Sequence, residues 1–225
     1  MLWFLAFAFI SETIATTVGF GASTILLPLA LFYFDFKTAL TLVAFFHLFG
    51  SLGRFSFFRH GLNREILIKF GLPSILLSLF GATLANSLTQ TTFKGLLGIF
   101  LIVYGFISLK NNHFQVKPNT SNLIIGGGIS GFIAGLVGTG GALRATFLSA
   151  FKRDKATYLA TTAALSLAVD LTRIPVYLNQ GFLSQKLYFY IPILFVLAIT
   201  ATFVGKQIVH LIPTKPNFRD QFQIV

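Results

Sequence analysis

Long apolar runs separated by short polar loops cover positions 2–33, 38–58, 65–85, 92–109, 123–151, 156–178 and 186–211, with a stub starting at Phe218. A run of about 18 or more apolar residues spans a hydrocarbon core about 30 Å thick as a helix, so the pattern predicts an all-α polytopic membrane protein. Two runs do not fit a single crossing. As one helix, positions 2–33 would be about 48 Å long at 1.5 Å per residue, so this run must break or fold back. The break is visible as Val18, Gly19, Phe20, Gly21 and then Pro28, and the long run 123–151 carries Val137, Gly138, Thr139, Gly140 and Gly141. Glycine opens backbone conformations closed to other residues and lets a ligand approach the peptide groups. A helix restarting after such a break presents unpaired N–H groups at the positive end of its dipole, which suits an anion.

The two breaks belong to a repeat. At an offset of 119 residues, Val18, Gly19 and Gly21 align with Val137, Gly138 and Gly140, and Asp35, Arg54 and Pro73 align with Asp154, Arg173 and Pro192. The chain thus divides into a first repeat, 1–109, a polar linker, 110–122, and a second repeat, 123–225. Aligning Phe93 and Lys94 with Phe218 and Arg219 predicts that the last helix is truncated. Internal duplication is the usual plan of secondary transporters. Loop cations decide between crossing and re-entry. If both glycine-broken segments crossed, the cations would divide six against eight. If both fold back, Lys37, Lys94 and Lys186 face one side and the remaining eleven the other. The Lys/Arg excess marks cytoplasmic loops, so the re-entrant arrangement is expected. Each repeat then has one re-entrant segment and three transmembrane helices. The repeats are inverted, and both chain termini lie outside.

Composition narrows the chemistry. Hydrophobic residues make up 55% of the chain and charged residues 10%, which is far from a water-soluble enzyme. The net charge of +11 reports orientation and attraction to anionic lipid, since no basic run resembles a nucleic-acid patch. The absence of cysteine removes disulfide scaffolds, thiolate metal sites and iron–sulfur clusters, and the spacing of His60, His113 and His210 matches no metal site. No cofactor is expected. The apolar N-terminus has no preceding positive stretch and runs on without a cleavage pattern, so it reads as the first membrane segment.

Several polar residues sit inside these apolar runs. Arg54 and Arg173 occupy matching positions, and each would cost about 2.5–3.5 kcal/mol near the bilayer centre on insertion scales. They either clamp an oxyanion bidentately near the glycine breaks or are accommodated otherwise, Arg54 by snorkelling and Arg173 by pairing with Asp170. Arg144 follows the second break and adds positive potential there, or anchors the segment at a lipid surface. Glu12, Asp170 and His47 are candidates for coupling to a proton or sodium ion, with a packed, hydrogen-bonded histidine as the alternative for His47. The anion site is expected at Gly19, Gly21, Ala22, Gly138, Gly140 and Gly141, with bulk at Gly140 abolishing transport while leaving the fold intact. Gly126, Gly127, Gly128 and Gly131 suit close helix contact, and Tyr177 suits an interfacial belt. Gly128, Ile129, Ser130 and Gly131 also spell the Gly-x-Ser-Gly pattern of an intramembrane serine protease, although the only later histidine is His210.

The paired breaks, 18–28 and 137–143, each followed by an Ala/Thr-rich helix at 38–44 and 156–164, resemble the sulfite exporter TauE/SafE family of membrane permeases. Two positions depart from the duplicated pattern: Ala22 stands where a third glycine belongs, and Phe147 stands opposite Pro28. The resemblance covers essentially the whole chain. It implies a multi-pass protein of the bacterial inner membrane that exports small sulfur-containing anions, such as sulfite, sulfonates or related organic acids. It implies no enzymatic activity and no nucleic-acid partner, only the anionic substrate and the lipid bilayer. Alternating access between two nearly equivalent states is the expected mechanism, and a passive anion channel is the alternative.

Overall fold

The computed structural model describes residues 2–19, 21–58, 61–110, 116–151 and 153–211, apart from the side chains at 109, 110 and 210. The expectations for Phe20, Arg59, His60, His113, Lys152, Lys215, Arg219, the truncated last helix and the C-terminal end lie outside the described residues. Those residues are helical nearly throughout and contain no strand. The first half forms α1 (Leu2–Val18), α2 (Ser23–Ala30), α3 (Phe36–Phe58), α4 (Arg64–Lys69), α5 (Gly71–Ala85) and α6 (Gln90–Lys110). The second half forms α7 (Thr120–Val137), α8 (Gly141–Ser149), α9 (Lys155–Asn179), a 3₁₀ turn (Gln185–Leu187) and α10 (Tyr190–Leu211). Among the described residues, six stretches are long and apolar enough to cross a membrane: α3, α4 with α5, α6, α7, α9, and the 3₁₀ turn with α10.

Both glycine-broken segments turn back on themselves. The Phe4 ring, near the start of α1, lies 5.1 Å from the Phe34 ring, just past the end of α2. In the second segment Ser130 donates its hydroxyl hydrogen to Gly140 O at 2.8 Å, and a Cβ at Gly126 would strike the Phe147 ring. Positions 140 and 130, then 147 and 126, therefore pair in antiparallel order. At 9 residues α8 extends about 14 Å, half the length of α7.

The two hairpins open toward opposite ends of the bundle. At one end, Phe34 meets Tyr190 at 6.0 Å, and Phe36 stacks on Phe93 at 4.8 Å. At the other, Lys69 Nζ donates to Thr120 Oγ1 at 2.8 Å, and Asn63 N donates to Thr161 Oγ1 at 3.3 Å. The helix order puts Lys37, Lys94 and Lys186 at the aromatic end. Arg64, Lys69, Lys117, Arg153, Lys155 and Lys206 lie toward the other, so the charge asymmetry survives among the described residues. Cysteines placed at the exposed positions Leu62 and Arg153 should react with an impermeant reagent from one side of the membrane, and a cysteine at Ser87 from the other. Labelling of 62 and 153 from opposite sides would contradict this arrangement.

A glycine seam holds the bundle together. Gly127, Gly131 and Gly135 recur every fourth residue along α7, facing Phe70, Ser74 and Ser78 at the same spacing. A Cβ at any of the three glycines would strike the backbone carbonyl of its partner, and Ser74 Oγ donates to Gly127 O at 2.8 Å. Small residues take this role in membranes because backbone contact supplies the dispersion that the hydrophobic effect does not. The outer face of α6, with Ile99, Ile102, Val103 and Phe106 exposed, suits a lipid boundary.

Candidate functional site

Helices α4, α7 and α9, which begin toward a bundle end, are closed by side chains. Asn63 accepts from Ile66 N at 3.0 Å, Asn119 from Asn122 N at 2.8 Å and Asp154 from Thr157 N at 2.9 Å. The two helices that begin inside the protein, α2 and α8, have no side-chain cap. Their first N–H groups have no acceptor within the helix, and both dipoles put positive charge at the bundle centre. The hairpin tips meet there: Thr24 Oγ1 and Thr139 Oγ1 are 2.8 Å apart, and Thr139 is fully buried.

The backbone of the tips explains the glycines. Gly19 and Gly138 take the left-handed conformation at φ +86 and +84, and Gly21 does so at +85. A Cβ on Gly19 would lie 2.7 Å from Tyr158 Cε1, and one on Gly21 would lie 2.5 Å from His47 Nε2. Ala22 is buried at the N-cap of α2, where a methyl group fits. Gly140, with φ −111, is a different case. Its Cβ would strike Ser130 O on α7, so a bulky side chain there would pry the hairpin open. The expectation that such a variant keeps its fold is corrected by this contact. Gly141 is the first residue of α8.

Three arginines are buried near the centre, and two of them are committed. Arg173 donates through Nε to Asp170 Oδ1 at 2.9 Å, and its Nη2 lies 2.8 Å from the same oxygen. Its Nη1 donates to Ala134 O at 2.6 Å, which ties α9 to the last turn of α7. Arg54 forms a short ion pair with Glu12 and donates to Ser51 Oγ at 3.0 Å. Thr202 and Thr16 also donate to Glu12 Oε1, at 3.1 and 3.3 Å. Arg54 is 3% exposed and Glu12 0%, so neither snorkels to an interface. A Cβ at Gly50 would strike the Glu12 carboxyl group, so this glycine makes room for the pair.

Arg144 differs. It is buried in the first turns of α8, and its side chain has no hydrogen bond or ion pair among the described residues. Asp170, Arg54, Tyr158 and Arg173 act on it electrostatically. Two buried carboxylates, Glu12 and Asp170, face three buried guanidinium groups, which leaves one positive charge uncompensated at the hairpin tips. His47 faces the tip of the first hairpin. Its Nδ1 lies 2.7 Å from Asp170 Oδ2, while Nε2 is buried with no hydrogen-bond partner among the described residues and faces Gly21.

Sequence reasoning names Gly19, Gly21, Ala22, Gly138, Gly140, Gly141, Arg144, Arg173, Asp170 and His47, which the structure brings to this centre, and Arg54 and Glu12, which form a second cluster beside it. It misses the hydroxyl groups of Thr16, Thr24, Thr139 and Thr202, which look ordinary in an apolar run. Tyr177 is fully buried rather than interfacial, and donates to Gly135 O at 2.5 Å. Its position one helical turn after Arg173 is the signal that places both on the face toward α7. Ser130 uses its hydroxyl group to close the α7–α8 hairpin, and His47, the buried histidine at the centre, is paired with Asp170 rather than with this serine.

Comparison with known proteins adds three findings. Residues 4–224 match the family model described as sulfite exporter TauE/SafE. Over 151 residues the chain is 29% identical to a probable membrane transporter protein of Methanocaldococcus jannaschii, a match covering 60% of this chain and 56% of that protein. The chain thus matches little more than half the length of that relative. No solved structure matches.

Proposed function

The chain belongs to the sulfite exporter TauE/SafE family of membrane transporters, and on that premise we propose that it moves a small oxyanion, sulfur-containing by family, through a site between the two hairpin tips. The observation that carries this reading is Arg144, a buried cation without a carboxylate partner among the described residues, set at the uncapped start of α8. Buried charge in a low-dielectric medium calls for a counter-charge, and an incoming anion supplies it. Uncapped N–H groups of α2 and α8, around Ala22 and Gly141, add directional donors that fix the anion's shape. Arg173 and Arg54 contribute positive potential. Glu12 and Ser51 engage Arg54, and Asp170 and Ala134 O engage Arg173, so their main task is to lock α3 to α1 and α9 to α7.

The two halves act as inverted repeats, 1–109 and 123–225, joined by the linker 110–122. Opposed hairpins with touching tips support that reading, as does the repeated position of Arg54 and Arg173. Alternating access follows if one hairpin loosens while the other stays packed. The cation-rich end faces the cytoplasm of a bacterial inner membrane by the positive-inside rule.

The test is flux through purified protein in liposomes, using sulfite, thiosulfate and methanesulfonate with glycerol as a neutral control. Saturable flux of at least one anion and none of glycerol is expected. Absence of anion flux in correctly inserted protein would overturn the reading. Flux that no ion gradient can drive uphill would replace the carrier by a channel.

A further inference from the structure

We propose that His47 carries the coupling proton, so that an anion binds at the hairpin tips together with one proton taken up at Nε2. This rests on the anion site proposed above and names the ion that drives it. A carboxylate only accepts hydrogen bonds, so the 2.7 Å contact with Asp170 Oδ2 requires a hydrogen on Nδ1. In the neutral ring Nε2 then keeps a lone pair. That lone pair is buried, has no partner among the described residues and is aimed at Gly21, where the uncapped α2 begins. An oxyanion beside it is repelled. Protonation turns the same atom into a charged N–H donor directed at the tip, and no bond is broken elsewhere in the site.

The surroundings favour this coupling. Groups acting on His47 are Asp170 and Arg173 from α9 and Arg54 from α3 itself. Arg144 from α8 and Glu12 from α1 complete the buried charges of the centre. The sequence of α2 contains no titratable group. The cations of α6 and α10 lie elsewhere: Lys94 lines a groove with Pro28 and Phe32, and Lys206 sits 4.9 Å from the Phe57 ring centre. With neutral His47 the five central charges sum to one positive charge. A protonated His47 without an anion would leave two positive charges buried together, a costly arrangement that the anion relieves. Proton and anion therefore each raise the affinity for the other by the same factor. The repeat makes the device one-sided, because position 166, which matches His47, is a serine bonded to Thr162 O.

Liposomes containing the purified protein and an internal pH dye provide the test, with thiosulfate and methanesulfonate as probes. Neither takes up a proton near neutral pH, so any proton that moves with them is carried by the protein. In the wild type, anion entry should move about one proton per anion. An imposed pH difference should drive accumulation, and anion affinity should fall about tenfold per pH unit once the imidazole is neutral. In His47→Gln, which can still donate to Asp170, any downhill flux that remains should carry no proton and show no pH dependence. Anion flux without proton movement in the wild type would overturn the inference, whether or not the variant folds. So would undiminished pH-driven accumulation in a folded His47→Gln protein. If none of sulfite, thiosulfate and methanesulfonate moves, the anion reading fails and this inference falls with it.

Discussion

Arg144→Gln is expected to lower anion flux by between about 30-fold and 3,000-fold while leaving the melting temperature in detergent unchanged or raised. The range follows from the 2–5 kcal/mol or so lost when a desolvated charge contact is truncated, at about 1.4 kcal/mol per factor of ten. Stability is spared because Arg144 has no ion pair to break among the described residues, and removing an uncompensated buried charge relieves the fold. Arg173→Met should behave in the opposite way. It leaves Asp170 with His47 alone and removes the guanidinium donor from Ala134 O, and losing one partner of a buried pair costs about 3–5 kcal/mol, so this variant should fail chiefly in stability and membrane yield. Flux and thermal melting measured on both variants separate the roles. Full flux from Arg144→Gln would remove this arginine from the site, and a stable Arg173→Met protein without flux would return that role to Arg173.

Gly131→Leu should destabilise the bundle by about 3 kcal/mol or more, at the upper end for overpacking, and leave little folded protein to purify. The Cβ alone would strike Ser74 O and lie 2.5 Å from Ser74 Cα, and backbone on a packed helix cannot swing aside as a side-chain tip can. Helix α5 would have to separate from α7 along the whole glycine seam, and the hairpin formed by α7 and α8 would lose its support. Gly105→Leu is the control, because nothing lies within 4 Å of a Cβ at that position on α6. Thermal melting of the two variants in the same detergent checks this. Equal stability would show that the seam is more compliant than its contacts suggest.

Much of the architecture was legible because a bilayer restricts what a chain can do. Backbone polar groups without water must pair within a segment, so apolar runs become helices and their lengths are readable. The two glycine breaks were readable for the same reason, since a run too long for the core has to turn where glycine permits it. Arg54, Arg173, Glu12, Asp170 and His47 stood out as charged or titratable groups that such runs rarely carry. Their partners were less legible. Asp170 and Arg173 sit three apart on one helix and could be paired on paper. Glu12 and Arg54 are 42 residues apart, His47 and Asp170 123 apart, and the two threonines at the tips 115 apart.

The sequence by itself thus determined a helical membrane protein, its two breaks, the asymmetry of its loop cations and the small set of buried charges. Only the tertiary structure decided how those charges divide. On paper Arg54 and Arg173, matched across the repeat, were the arginines to clamp an anion, and Arg144 only added potential beside a break or anchored the segment. Folding reversed that order by bringing Asp170 and Glu12 to the other two and leaving Arg144 without a carboxylate partner among the described residues. The physical reason is that a charge's role depends on which opposite charge lies within a few ångströms in a medium that screens little. That distance is set by how helices far apart in the chain pack together.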